Sequence, residues 1–234
     1  MVSKKEKKEI FSFLDLTSLK DADNTLSIKL LCDNGKNTLG SVAAVCAQPK
    51  FVFEAKQNLA KTSIKVATVV NFPSGDGCLE DVCELIDKCL IAGSDEIDLV
   101  FPYKDYLNNK KLSAVNFVSS CIDFINNRAV VKVILETGAF SDFSVLKQAS
   151  LDVIYCGANF LKTSTGKILN GATLDAATVM LQAIKKSNAP TGFKAAGGIR
   201  TYADAFSYLS IAKKIMGNNW PNINNFRLGT SGLN

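Results

Sequence analysis

The 234-residue sequence contains no histidine. That removes the imidazole on which Ser-His-Asp hydrolysis, Cys-His catalysis and the usual histidine-bound zinc site depend. A CxxC pair is also missing: the seven cysteines, at positions 32, 46, 78, 83, 89, 121 and 156, are scattered and odd in number. Such spacing argues against a disulfide framework or structural zinc and for reduced, intracellular thiols. Neither GxxxxGK[ST] nor GxGxxG occurs after any apolar run, so both nucleotide-binding fingerprints are lacking. No apolar run approaches the roughly 20 residues that span a bilayer. The opening MVSKKEKKEIFSF has no signal-peptide core and carries acidic residues that a presequence avoids. No membrane association and a cytoplasmic location are therefore expected. The net charge of +5 has no long basic stripe behind it; Lys4 to Lys8 is interrupted by Glu6 and followed by Glu9. This reads as a solvated helix face, not a nucleic-acid arm, and a small anionic substrate suits the charge equally well.

What is present is the balance of an ordinary globular protein, 47% hydrophobic and 21% charged. The length suits one α/β barrel, and no Pro/Gly-rich linker divides the chain, so residues 1–234 are expected to form a single domain. Short apolar runs alternate with longer amphipathic stretches, the pattern of successive βα units. Eight strands are predicted, near 11–16, 41–46, 65–70, 96–100, 131–135, 160–162, 192–194 and 226–229. The spacing of Leu79, Val82, Cys83, Ile86, Cys89 and Leu90 predicts a helix stopped by Gly93. Weaker helical patterns cover 26–31, 51–59, 114–125, 174–184 and 203–215, with Thr173 and Thr201 as N-caps. The expected fold is a (β/α)8 TIM barrel.

In such a barrel, polar residues at the C-terminal ends of strands face the mouth where active sites form. Asp98 in EIDLVFPY, Lys162 in NFLKTSTGK, Lys194 in TGFKAAGG and Cys46 in AAVC occupy those ends. A buried ammonium is costly unless it is paired or its pKa falls. Either lysine, once neutral, is a nucleophile, and a second cation nearby favours that state; the alternative is that each reaches solvent or pairs with a carboxylate. Asp98 is placed to pair with Lys194 and pass protons, or to bind backbone amides as a structural strand end. An aldol reaction without a metal needs such an amine. Gly166, then Gly197 and Gly198, then Gly229 and Gly232 follow three successive predicted strands, where barrels commonly cradle phosphate on backbone N–H groups. Lys167, Arg200 and Ser231 add charge and a hydroxyl there.

LDLTSL, AAVCAQP, KVATVVNFPSG, DEIDLVFPY, VKVILETG, FLKTSTGK, GFKAAGGIRT and the closing FRLGTSG run nearly end to end. In order, spacing and strand context they resemble the deoxyribose-phosphate aldolase family. The resemblance implies that Lys162 is the Schiff-base lysine, that Lys194 lowers its pKa, and that Asp98 relays protons. It also implies phosphate contacts from Gly166, Lys167, Gly197, Gly198, Gly229 and Ser231. Asp15, Cys46 and Thr165 match positions lining the mouth, Cys46 chiefly as a small buried apolar group. The implied reaction is reversible cleavage of 2-deoxy-D-ribose 5-phosphate to D-glyceraldehyde 3-phosphate and acetaldehyde, in deoxynucleoside catabolism. It uses no cofactor and no metal, takes a small phosphorylated sugar as partner, and is expected of a homodimer among the assemblies the family offers. Ala195 after Lys194, where the family often has proline, and Gly232, where a second serine is common, depart from its pattern. The chain stops at Asn234, soon after FRLGTSG, where many relatives carry a further tail.

Overall fold

A computed structural model describes residues 2–234. Eight parallel strands close into a barrel: β1 (Leu14–Thr17), β2 (Ala44–Ala47), β3 (Lys65–Val70), β4 (Glu96–Val100), β5 (Val130–Ile134), β6 (Phe160–Lys162), β7 (Gly192–Ala196) and β8 (Phe226–Thr230). Each strand pairs with its neighbours in sequence, and β1 closes the ring by pairing with both β2 and β8. The expected (β/α)8 barrel is the fold.

Around it lie α1 (Lys4–Ser12), α2 (Thr25–Asp33), α3 (Val52–Leu59), α4 (Leu79–Ile91), α5 (Tyr103–Leu107), α6 (Lys111–Ile125), α7 (Phe143–Tyr155), α8 (Leu174–Ser187) and α9 (Tyr202–Met216). Helix α4 buries Val82, Ile86 and Cys89, and Gly93 follows it with φ +97°, a left-handed conformation that suits glycine at a helix end. Thr173 and Thr201 cap α8 and α9 by accepting from the backbone amides of Ala176 and Asp204. Among the described residues, no helix is long and apolar enough to cross a membrane.

Three expectations need correction. The strand predicted over 11–16 starts only at Leu14, because a capping box between Ser3 and Glu6 starts a helix that runs to Ser12 and buries Ile10 and Phe11. The strand predicted over 41–46 starts at Ala44; Gly40 and Ser41 instead pair with Asn37 and Lys36 in a short antiparallel ribbon. Helix α7 has no counterpart in the predicted helices. Its buried face includes Ser150, whose hydroxyl donates 2.7 Å back to the Leu146 carbonyl, so a polar residue satisfied within the helix interrupts the apolar pattern.

Register places the interior. Strand side chains alternate between faces, and residues paired across parallel strands share one. The pairings Asp15 with Gly229, Asp98 with Lys132, Lys162 with Lys194 and Lys194 with Arg227 therefore bring the charged residues to the inner face. Ala44, Cys46, Ala67 and Val69 of β2 and β3 form a small apolar wall of their own.

Candidate active site

Three carboxylates and four cations are buried together in the barrel: Asp15, Glu96 and Asp98 with Lys132, Lys162, Lys194 and Arg227, none more than 5% exposed. Taking such charges out of water costs several kcal/mol for each ion, so they persist only through mutual pairing. Lys132 Nζ lies 2.5 Å from Glu96 and 2.9 Å from Asp98 Oδ1. Arg227 bridges Asp15 at 2.7 Å and Glu96 at 2.9 Å. Lys194 Nζ donates to Asp15 Oδ2 at 2.5 Å and to Asp98 Oδ2 at 2.8 Å. Lys162 Nζ donates to that same Asp98 oxygen at 2.6 Å. Among the described residues, no buried side-chain nitrogen or oxygen is left without a partner.

With every group ionised the cluster carries one cation in excess, so one lysine can lose its proton and leave the rest paired. Burial pushes the Lys162 ammonium below the ordinary lysine range; Asp98 opposes the shift and Lys194 adds to it. Lys194 is equally buried, yet Asp15 and Asp98 together outweigh that penalty and hold it above the ordinary range. Burial alone raises the Asp98 carboxyl, but Lys132, Lys162 and Lys194 overcome it and hold Asp98 well below the carboxylate range. An unprotonated amine next to a fixed cation can attack a carbonyl.

Above this layer is a cavity of about 300 Å³ with Lys162 in its wall. Its other side is built from the C-terminal end of β8 and the loops after β6, β7 and β8. Thr165, Gly166, Lys167, Gly197, Gly198, Gly229 and Ser231 all line it, as do Arg200 and, from the loop after β1, Leu19 and Lys20. Lys167 is held at both ends: its backbone N–H donates to Thr165 Oγ1 at 3.0 Å and its ammonium to the Leu19 carbonyl at 2.8 Å. At Gly197, φ is +94° and an added Cβ would come within 3.3 Å of Gly171 Cα and Ser164 Cβ, so conformation and space both favour glycine. Lys20, Lys162, Lys167 and Arg200 around one cavity, with glycines that leave backbone accessible, are the parts from which an anion site is built.

Two residues expected to line the mouth lie beneath it. Asp15 is fully buried and bound by Lys194 and Arg227, because β1 and β8 bring its strand position into the charged layer. Cys46 is fully buried in the apolar wall of β2 and β3, and burial, helped by Asp98, pushes its thiol up to about 11. Asp98 pairs not with Lys194 alone but with Lys132, Lys162 and Lys194 together. After FRLGTSG, the Asn234 N–H donates to the Arg200 carbonyl, tying the last residue to the loop that leads into α9.

Sequence reading missed Glu96, Lys132, Arg227, Glu136 and Lys20. A signal for the first three was present: each is a charge inside a short apolar strand, and Glu96 stands two residues from Asp98 on the same face.

Residues 12–219 match the family model described as DeoC/LacD family aldolase. A curated protein of Agrobacterium fabrum (strain C58 / ATCC 33970) named deoxyribose-phosphate aldolase is 41% identical over 223 residues, covering 95% of this chain and 86% of the relative. A crystal structure from Coccidioides immitis, provisionally assigned to the same enzyme, superposes with a TM-score of 0.86 at 25% identity, over 96% of this chain and 82% of that one. A tetrameric deoxyribose phosphate aldolase from Aeropyrum pernix shares the fold, with a TM-score of 0.81 at 24% identity over 99% of this chain and 89% of its own.

Proposed function

This chain belongs to the DeoC/LacD aldolase family, and on that premise we propose that it reversibly cleaves 2-deoxy-D-ribose 5-phosphate to D-glyceraldehyde 3-phosphate and acetaldehyde through a Schiff base on Lys162. The observation that carries the reading is the contrast at Asp98 Oδ2: two lysines donate to one oxygen, and only the one lining the cavity has its pKa lowered.

In the forward direction, the neutral Lys162 amine adds to the C1 aldehyde of the open-chain sugar. The carbinolamine loses water to give a protonated imine, an electron sink conjugated to C2. Removal of the C3 hydroxyl proton then sends the C2–C3 bonding pair into the imine, releasing D-glyceraldehyde 3-phosphate and leaving an enamine on Lys162. Protonation of the enamine at C2 and hydrolysis release acetaldehyde and restore the amine. Asp98, 2.6 Å from the Lys162 nitrogen, is placed to exchange protons there, and to reach the C3 hydroxyl through water. Its strongly depressed pKa suits a relay that passes a proton on at once and does not store it. Lys194 keeps its charge and so disfavours protonation of Lys162. Gly229 at the end of β8 and the loops carrying Gly166, Lys167, Gly197, Gly198 and Ser231 hold the 5-phosphate, which fixes the far end of the sugar and sets C1 over the amine. The cellular role that follows is breakdown of deoxynucleoside carbon.

Incubation with deoxyribose 5-phosphate and borohydride, followed by intact-mass measurement and peptide mapping, tests the reading. One reduced adduct on Lys162 is expected. Lys162→Ala is expected to lose the adduct and to lower turnover by roughly 10⁴-fold, the scale on which removing one member of a covalent catalytic unit acts. Full cleavage by that variant, or an adduct on Lys194 instead, would refute the assignment.

A further inference from the structure

Between the amine and the anion loops lies a carboxylate that the proposed chemistry does not use. Glu136, just beyond β5, is fully buried and adopts φ +57°, ψ +61°, a left-handed conformation that a non-glycine residue seldom takes. Glycine would accept this backbone freely, so the side chain has to justify the residue. The kink does not detach β5 from its neighbour: the Leu135 and Thr137 amides on either side donate 2.9 Å to the carbonyls of Lys162 and Thr163.

Among the described residues, the Glu136 carboxylate accepts from a single residue, Thr165. Thr165 Oγ1 donates to Glu136 Oε2 in a short hydrogen bond, and the Thr165 amide approaches the two carboxylate oxygens at 3.3 and 3.4 Å. An ionised carboxylate only accepts, so it dictates that the Thr165 hydroxyl hydrogen points toward it. The hydroxyl's lone pairs are then free for the Lys167 N–H, which donates to Oγ1 at 3.0 Å. Burial raises the Glu136 carboxyl, and the two Thr165 donors work against that rise.

We infer that Glu136 is a positioning residue for the anion end of the site: through the Thr165 hydroxyl it fixes where the Gly166–Lys167 turn presents its backbone relative to Lys162. The inference rests on reading the cavity as a phosphate site. It gives Glu136 no contact with substrate, and it makes Thr165 the link between them.

The test uses the full chain with inorganic phosphate as the probe, by calorimetry, beside the rate at which acetaldehyde is trapped on Lys162 by borohydride. Glu136→Ala is expected to weaken phosphate binding by about ten- to a hundredfold, the scale of one charge-assisted hydrogen bond, with a clearly smaller loss in trapping. Glu136→Gln, which keeps an acceptor oxygen, is expected to restore most of the affinity. Thr165→Val should reproduce the Glu136→Ala loss, and the double variant should add nothing to it, since both break one linkage. Equal losses in phosphate binding and trapping would overturn the inference in favour of a general structural role. So would unaltered phosphate affinity in Thr165→Val, which decides the matter even if Glu136→Ala does not fold, and so would a wild-type chain that binds no phosphate. A wild-type chain that binds phosphate, loses it in both variants and yet cleaves no deoxyribose 5-phosphate would sink the proposed substrate and leave Glu136 in this role.

Discussion

The ends of β6 and β7 are two neighbouring regions built from the same parts. Each carries a buried lysine after a short apolar strand, and the two side chains meet at one oxygen of Asp98. They differ in what else is near. Lys194 has a second carboxylate, Asp15, at 2.5 Å and lies below the cavity; Lys162 lines the wall and, among the described residues, forms an ion pair with Asp98 only. Burial disfavours the charged form at both lysines, and the shifts differ in sign where Asp15 adds to Asp98 beside Lys194. The division of labour proposed for the two lysines would then follow carboxylate count, through a residue on β1 that is 179 positions away in sequence from Lys194.

The comparison breaks most completely if the shared carboxylate goes. Asp98→Asn leaves Lys132, Lys162 and Lys194 facing a neutral amide, and a loss of about 3–5 kcal/mol of stability is expected, the cost of removing one member of a buried ion pair. Urea unfolding measures it. The pH dependence gives the sign. Asp98 and Asp15 are both depressed below their ordinary 3.8, so their contribution is complete above 3.8 and is lost as pH falls through the lower folded values. Wild-type stability should thus fall on acidification, and Asp98→Asn should fall less steeply. An acid limb of the same slope in both proteins would mean that Asp98 does not carry the linkage.

Lys194→Leu removes one member of the pair and asks whether the other still behaves as before. Lys162 would lose the neighbouring cation and gain an undivided share of Asp98; both changes raise its pKa. The midpoint of acetaldehyde adduct formation should move up by about one pH unit, and trapping at neutral pH should slow roughly tenfold. An unmoved midpoint would leave burial as the whole cause of the Lys162 shift. A milder intrusion is Gly229→Ala, whose Cβ would sit 2.8 Å from Ala196 Cβ and 3.2 Å from Lys194 Cε. Overpacking there is expected to cost about 1–3 kcal/mol, and if Lys194 is displaced the adduct midpoint should drift upward as well.

From the sequence, FLKTSTGK and GFKAAGG look alike: two lysines at strand ends, each before a glycine loop. The residues alone left open which lysine reacts, and only the family resemblance ordered them. The deciding contacts join Asp15 to Lys194 and Arg227 across the closure between β1 and β8, and no local pattern reports a pairing over that distance. The barrel itself was legible because period-2 and helical apolar patterns alternate along the chain, and the loop glycines stood out because they follow three successive strands. Lys132 and Arg227 each stood out as a lone charge in an apolar strand, VKVI or FRLGT, but neither strand says which carboxylates on other strands its charge meets. Glu136 was invisible because its role depends on a left-handed backbone that no residue type announces.

Cys46 offers the smallest effect and the finest test of whether carboxylates alone separate the two lysines. Its thiol lies on the inner face close enough for Asp98, Lys194 and Lys162 to influence it, and a thiolate there would be one more anion drawing Lys162 back toward its charged form. Burial and Asp98 outweigh the lysines and raise the thiol to about 11, so near neutral pH it is an uncharged group packed with Ala44, Ala67 and Val69. Cys46→Ala should then act only through the small void it opens, costing about 1 kcal/mol, with the adduct midpoint left where the wild type has it. A midpoint that moved down on losing the thiol would show a thiolate shared with Lys162. Carboxylate count would then be an incomplete account of why the pKa of Lys162 falls and that of its neighbour rises.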